Sequence, residues 1–259
     1  MSNKSPTLQT EAVVAMSRAF RHLEDRIARP VQLPFRNSFI YRYENKGIHE
    51  AILQKLARYI SGLNAVAVLI TTGYVQEANV IFRTLDEIQE DIFFLTSAET
   101  NDVRTERHTQ YLEAFYSDPV FSRVEGSLDI PKPNLVTRKK IRAHTMNAIG
   151  KGVNISKALS VSESLGTAYS GYVHAASENI MEMYGGDPPR FHINGMRGTP
   201  RVTECAASAE HYIYRGLMAT TVVAKAFGDA ALVITLHEFM AHYESANGHE
   251  TPPMPGKSV

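Results

Sequence analysis

Cysteine is almost missing from this chain: Cys205 is the only one. An internal disulfide framework and a cysteine-cluster zinc site are therefore excluded, and the composition fits a cytoplasmic setting. Net charge is missing too. The 27 Lys and Arg balance the 27 Asp and Glu, so no global field concentrates nucleic acid or anionic membrane, and such a partner needs a local patch. Long apolar runs are also lacking. The longest, Gly216 to Leu236, is interrupted by Lys225, Gly228 and Asp229, whereas a membrane span needs about 20 uninterrupted apolar residues. The opening MSNKSPTLQT is polar and unlike a signal peptide. "GYVQEAN" and "GGDPP" lack the glycine spacing of a P-loop or a dinucleotide fingerprint. The expectation is a soluble chain with no cofactor, no metal and no membrane partner.

What is present is helical periodicity. A hydrophobic share of 44% over 259 residues is enough for a real core. Residues 8–28 place Val13, Val14, Phe20, Leu23 and Ile27 on one stripe, and Pro30 and Pro34 then stop the helix. From Gly47 to Thr72, Ile48, Ile52, Leu56, Ile60 and Leu63 recur every three or four residues, with Gly73 as C-cap. The stretch from Tyr74 to Thr96 repeats the pattern with Ala78, Ile81, Leu85, Ile88 and Ile92. Two long helices joined at one glycine predict an antiparallel hairpin.

Further helices are predicted over 101–117, 137–149, 162–184, 202–227 and 230–246, the last with Asp229 as N-cap. Residues 118–134 read as a linker. Strand alternation is nearly absent, so the fold class is an all-α multi-helix bundle around a central hairpin. One helical domain is expected over 1–246, followed by a flexible, Pro/Gly-rich tail over 247–259.

Several constellations carry possible chemistry. "HEFMAH" looks like the zinc-protease signature, but His237 and His242 stand five apart rather than four, about 140° around a helix. They cannot readily share a metal, and both are expected at surface and boundary positions. Charge is segregated: 130–162 has no acid, while 86–103 has no base. The basic set Arg138, Lys139, Lys140 and Arg142 can hold phosphates; alternatively, it faces the acidic segment. Arg138 and His144 also satisfy the R-x(4–6)-H spacing of HEPN ribonucleases, as Arg42 and His49 do elsewhere in the chain.

Arg83 and Glu87 stand at i,i+4 on the predicted central helix. In the stretch from Ser170 to Gly195, small residues surround His174, and Gly185-Gly186 with Asp187-Pro188-Pro189 forces a loop. Arg190 and His192 bring polar groups to that loop. A histidine beside tyrosines can act as a general base, although a hydrogen-bonded structural histidine is commoner.

"FRTLDEIQEDIFFL", "YSGYVHAASENIMEMYGGDPPRFHINGM" and "YRGLMA" together resemble a family of bacterial helical proteins of unknown function. An Arg-x-x-x-Glu on a central helix and a Tyr-x-His before a Gly/Pro loop recur in it; here these are Arg83, Glu87, Tyr172 and His174. The resemblance spans about Ile48 to Phe239 and implies an all-α fold but no reaction. The functional expectation is a binding or regulatory protein with a polar site built from Arg83, Glu87, Tyr172, His174, Arg190 and His192. Its partner would be a protein or small molecule, and oligomerisation is open. The alternative is a HEPN-like, metal-independent ribonuclease of defence or toxin type, using Arg138, Lys139, Lys140, Arg142 and His144.

Overall fold

The computed structural model describes residues 7–100, 104–117, 134–149 and 169–247. All but the last residue of the predicted linker, most of the tail, and the parts of the acid-free 130–162 stretch before 134 and after 149 lie outside these residues. Helix α1 (Leu8–Glu24) leads into a hairpin of β1 (Val31–Phe35) and β2 (Ser38–Arg42), then α2 (Ile48–Thr72) and α3 (Val75–Thr100). Helices α4 (Glu106–Phe115) and α5 (Arg138–Ile149) follow. Residues 169–173 are helical. After them come α6 (Ser177–Met181), a short β3 (Tyr184–Gly185)/β4 (Arg190–Phe191) pair, α7 (Pro200–Ala226) and α8 (Ala230–Asn247). The fold is an all-α bundle.

The α2–α3 hairpin forms its centre. Gly73 closes α2 at φ 84°, a left-handed conformation that glycine adopts without a Cβ penalty. Its N–H and that of Tyr74 return to the carbonyls of Ile70 and Leu69. The predicted stripes become the core: Ile52, Leu56, Leu85 and Ile92 are fully buried. Burial on α3 is not confined to that stripe. Asp86, Gln89, Asp91, Thr96 and Ser97 are buried as well, because α2, α5 and α7 all pack against it.

Three expectations are corrected. On and just after α1, the predicted Leu23 is fully buried and Val13, Phe20 and Ile27 pack partly against the core, but Val14 is exposed and Ala12, Met16 and Ala19 complete the buried face. Ala12 and Ala19 are small, and α7 approaches this face closely, with Gly216 set against Met16. Residues 31–42 form an antiparallel hairpin, Phe35 pairing with Ser38, where only a helix stop was read. Its apolar side chains include the exposed Leu33, Phe39 and Tyr41, so no buried face produced an alternating pattern. The helix expected up to Tyr184 breaks at Ala175, whose φ of 51° is left-handed. Ala176 N–H closes the end by donating to Gly171 O.

Candidate functional site

The polar side of α3 is a ladder of buried acids matched by cations from neighbouring helices. Asp86 meets Arg215 Nη1 of α7 at 2.7 Å and accepts from Tyr212 Oη at 3.0 Å. Arg215 Nε also donates to Gln89 Oε1 at 2.6 Å. One turn further on, Asp91 receives Lys55 from α2 at 2.8 Å and Arg138 from α5 at 2.6 Å. Glu90 takes Arg142 Nε at 2.6 Å. The ammonium of Lys55 lies 5.0 Å from the ring centre of Phe115, a favourable cation–π position. Burial, and then the Asp86 carboxylate, push the Tyr212 phenol far above its ordinary pKa. Each buried carboxylate in this ladder has a cation beside it, as its desolvation demands.

Among the described residues, the basic helix α5 therefore faces the acidic side of α3. Arg138 and Arg142 are committed to Asp91 and Glu90, while Lys139 and Lys140 are exposed. His144 turns inward: its Nε2 lies 3.0 Å from Ser97 Oγ and its ring stands edge-on to His108 at 4.8 Å. His108 was not singled out in the sequence, yet it is fully buried. Its Nδ1 accepts from Thr105 N–H at 3.0 Å and its Nε2 reaches Phe94 O at 3.0 Å, so the Nε2–H tautomer satisfies both. Burial first of all holds the pKa of both imidazoles down. Ser97 donates to Phe94 O at 2.6 Å, which ties up its hydrogen and leaves His144 as its donor. This arrangement is a hydrogen-bonded interior cluster.

The other predicted set is spread over two elements. Arg83 and Glu87 form an ion pair of 2.8 Å on α3, and Arg83 Nη1 is buried without a hydrogen-bond partner. The 169–199 segment docks on the same helix through Tyr169, 6.0 Å from Phe82, and through Gln76 Nε2 donating to Asn179 O at 2.9 Å. Within the segment, Tyr172 Oη donates to Glu182 at 2.8 Å, and Arg201 stands 3.7 Å from the same carboxylate. Burial, and then Glu182, raise the Tyr172 phenol to about 12. His174 and Arg190 are exposed, and His192 is half-buried beside Gly185 and Gly186. Among the described residues, no hydrogen bond or ion pair joins Arg83 or Glu87 to Tyr172, His174, Arg190 or His192.

Two features of this segment escaped sequence reading. The first is its anchor: Met196 is buried and its N–H donates to Gly73 O at 2.7 Å. A Cβ on Gly195 would lie 2.6 Å from Thr72 O, so glycine permits the approach. The second is its surface. Val173, Ile180, Met181, Tyr184, Phe191 and Ile193 are all exposed, Ile193 at 72%. Glycines at 195 and 198 were the available signal for the anchor; the exposure had none, because apolar residues in a loop normally turn inward.

His237 is half-buried and His242 exposed on α8, consistent with the angle expected between them. Among the described residues, no helix is long and apolar enough to cross a membrane. No known protein family, characterised protein or solved structure matches the chain.

Proposed function

We propose that this chain is a helical binding protein of regulatory type, which docks a protein partner through the 169–199 segment. One observation carries the reading: six large apolar side chains are exposed within residues 173–193, on a backbone pinned to the central hairpin at Gly73 and Met196. Exposed apolar surface rimmed by polar groups is characteristic of interaction sites. Here the polar Tyr172, His174, Arg190 and His192 are interspersed with the apolar side chains along the same segment. Tyr184 and Phe191 pair edge-on at 4.9 Å across β3 and β4, offering a preformed aromatic contact of the kind enriched at interfaces. We assign the protein to the cytoplasm, in keeping with a lone thiol that is buried and pushed up to about 11 by desolvation.

The test is a photo-crosslinking residue at Phe191, introduced in cells that naturally contain the protein. One discrete adduct is expected, either with another protein or with a second copy, and Ile193→Asp is expected to abolish it without lowering Tm. The absence of any discrete adduct, or its persistence in Ile193→Asp, would overturn the reading.

A further inference from the structure

A cavity of about 390 Å³ lies between the C-terminal half of α3, α5, α7 and α8, away from the 169–199 segment. That volume is near the lower end of the range for ligand pockets, about 300–1,000 Å³, and suits one or two rings. Its apolar lining includes Phe93, Met218, Val222 and Met240. Thioether side chains adapt their shape to a flat guest and make favourable contacts with aromatic edges.

The polar lining is unusual in what it withholds. Thr96, Thr100, Thr145 and Thr221 each donate their single hydroxyl hydrogen to a carbonyl one turn back on their own helix, at 2.8 to 3.1 Å. Ser97 likewise donates to Phe94 O. These walls offer lone pairs and no hydrogen-bond donors. The donors are Lys225 and His237, which also line the cavity.

Helix geometry puts those two groups at the same end. Thr221 Oγ1 contacts Met240 Sδ at 3.5 Å, which sets the register of the antiparallel α7–α8 pair. Lys225 lies one turn beyond Thr221, and His237 one turn before Met240, so both lie on the side of the Gly228 turn. Lys225 is exposed and His237 half-buried. Neither has an ion pair or a side-chain hydrogen bond among the described residues, whereas Lys55, Arg138, Arg142 and Arg215 all have acidic partners.

From this asymmetry we infer that the cavity binds a small aromatic carboxylate: its ring between Met218, Met240 and Phe93, its carboxylate at Lys225 and His237. A ring N–H or O–H would meet the threonine oxygens. A cationic guest is disfavoured by the Lys225 ammonium, and a purely apolar one would use neither the Lys225 and His237 donors nor the threonine oxygens.

Indole-3-carboxylate and its neutral carboxamide serve as probes, titrated by calorimetry and followed in spectra of the full chain carrying ¹³C-methyl methionine. Saturable binding of the carboxylate is expected, with Met218 and Met240 methyl resonances shifting and that of Met196 unmoved. Met218→Leu and Met240→Leu assign the signals. The carboxamide should bind about tenfold more weakly. Lys225→Met, a change at an exposed position, should weaken the carboxylate about tenfold and leave the carboxamide unchanged. Three results would overturn the inference: no saturable binding at millimolar probe, binding without shifts at Met218 and Met240, or equal affinities for both probes in the wild type. Retained carboxylate affinity in Lys225→Met would overturn it equally.

Discussion

Asp91 and Arg138 meet at 2.6 Å although 47 residues separate them. The Asp91 side chain is only 2% exposed and the Arg138 side chain 34%. Lys55 approaches the other oxygen of the same carboxylate at 2.8 Å. This contact ties α2, α3 and α5 together, and there a cation of the basic segment neutralises an acid of α3.

Asp91→Ala should destabilise the protein by about 3 kcal/mol, the low end for breaking a buried pair, because Lys55 and Arg138 can both turn partly towards water. Arg138→Ala leaves Lys55 on the carboxylate and should cost less, about 1–2 kcal/mol. Urea denaturation of the two variants checks the order. A larger loss in Arg138→Ala would show that Lys55 does not hold Asp91 alone.

Acid should weaken the fold through His108 and His144. Their folded pKa values lie below the ordinary imidazole value of about 6.5. Between the folded and unfolded values, the unfolded chain binds more protons, so stability rises with pH there. The contribution is complete above about pH 7 and is lost as pH falls through 6.5 towards the lower folded values. At His108 a proton on Nδ1 would displace the hydrogen bond from Thr105 N–H. Urea midpoints at pH 7.5 and 5.5 should therefore differ in the wild type. His108→Asn with His144→Gln should be less stable at neutral pH but show a smaller acid-induced drop. An unchanged drop would move the cause elsewhere.

Gly73→Ala should cost about 2 kcal/mol, combining left-handed strain with a clash. The new Cβ would stand 2.7 Å from Arg197 N and 2.8 Å from Met196 N, which are backbone atoms. Hydrogen exchange in residues 170–199 should accelerate as the anchor loosens, while the centre of α3 keeps its protection. Uniform acceleration across the chain would mean that the segment is not separately anchored.

Arg83 and His174 offer a test of separation. No bond among the described residues links them, so Arg83→Ala and His174→Ala should add in stability to within about 0.5 kcal/mol. Asp91→Ala and Arg138→Ala, measured alongside, should be non-additive. An Arg83–His174 coupling well above that limit would show that the central helix and the loop act as one polar site.

The helices of this protein were legible in its sequence because their cause is local. Ile52, Leu56, Leu85 and Ile92 recur at the helical period, and Gly73 marks the turn that makes α2 and α3 a hairpin. Asp229 caps α8 as its position suggested, its Oδ1 accepting from Leu232 N–H at 3.0 Å. Exposed elements were harder to see. The 31–42 hairpin buries too little to alternate, and the reversal at Ala175 is a backbone conformation that alanine does not advertise.

Side-chain partnerships were decided in three dimensions. The sequence displayed an acidic block and a basic block, but only the packing of α5 against α3 matched Arg138 to Asp91 and Arg142 to Glu90. It also turned His144 towards His108 and Ser97. The cavity beside Phe93 needs four helices at once, and no single segment carries its pattern. Periodicity along one chain determines which face of a helix is apolar; which polar groups meet depends on the crossing and register of helices distant in sequence.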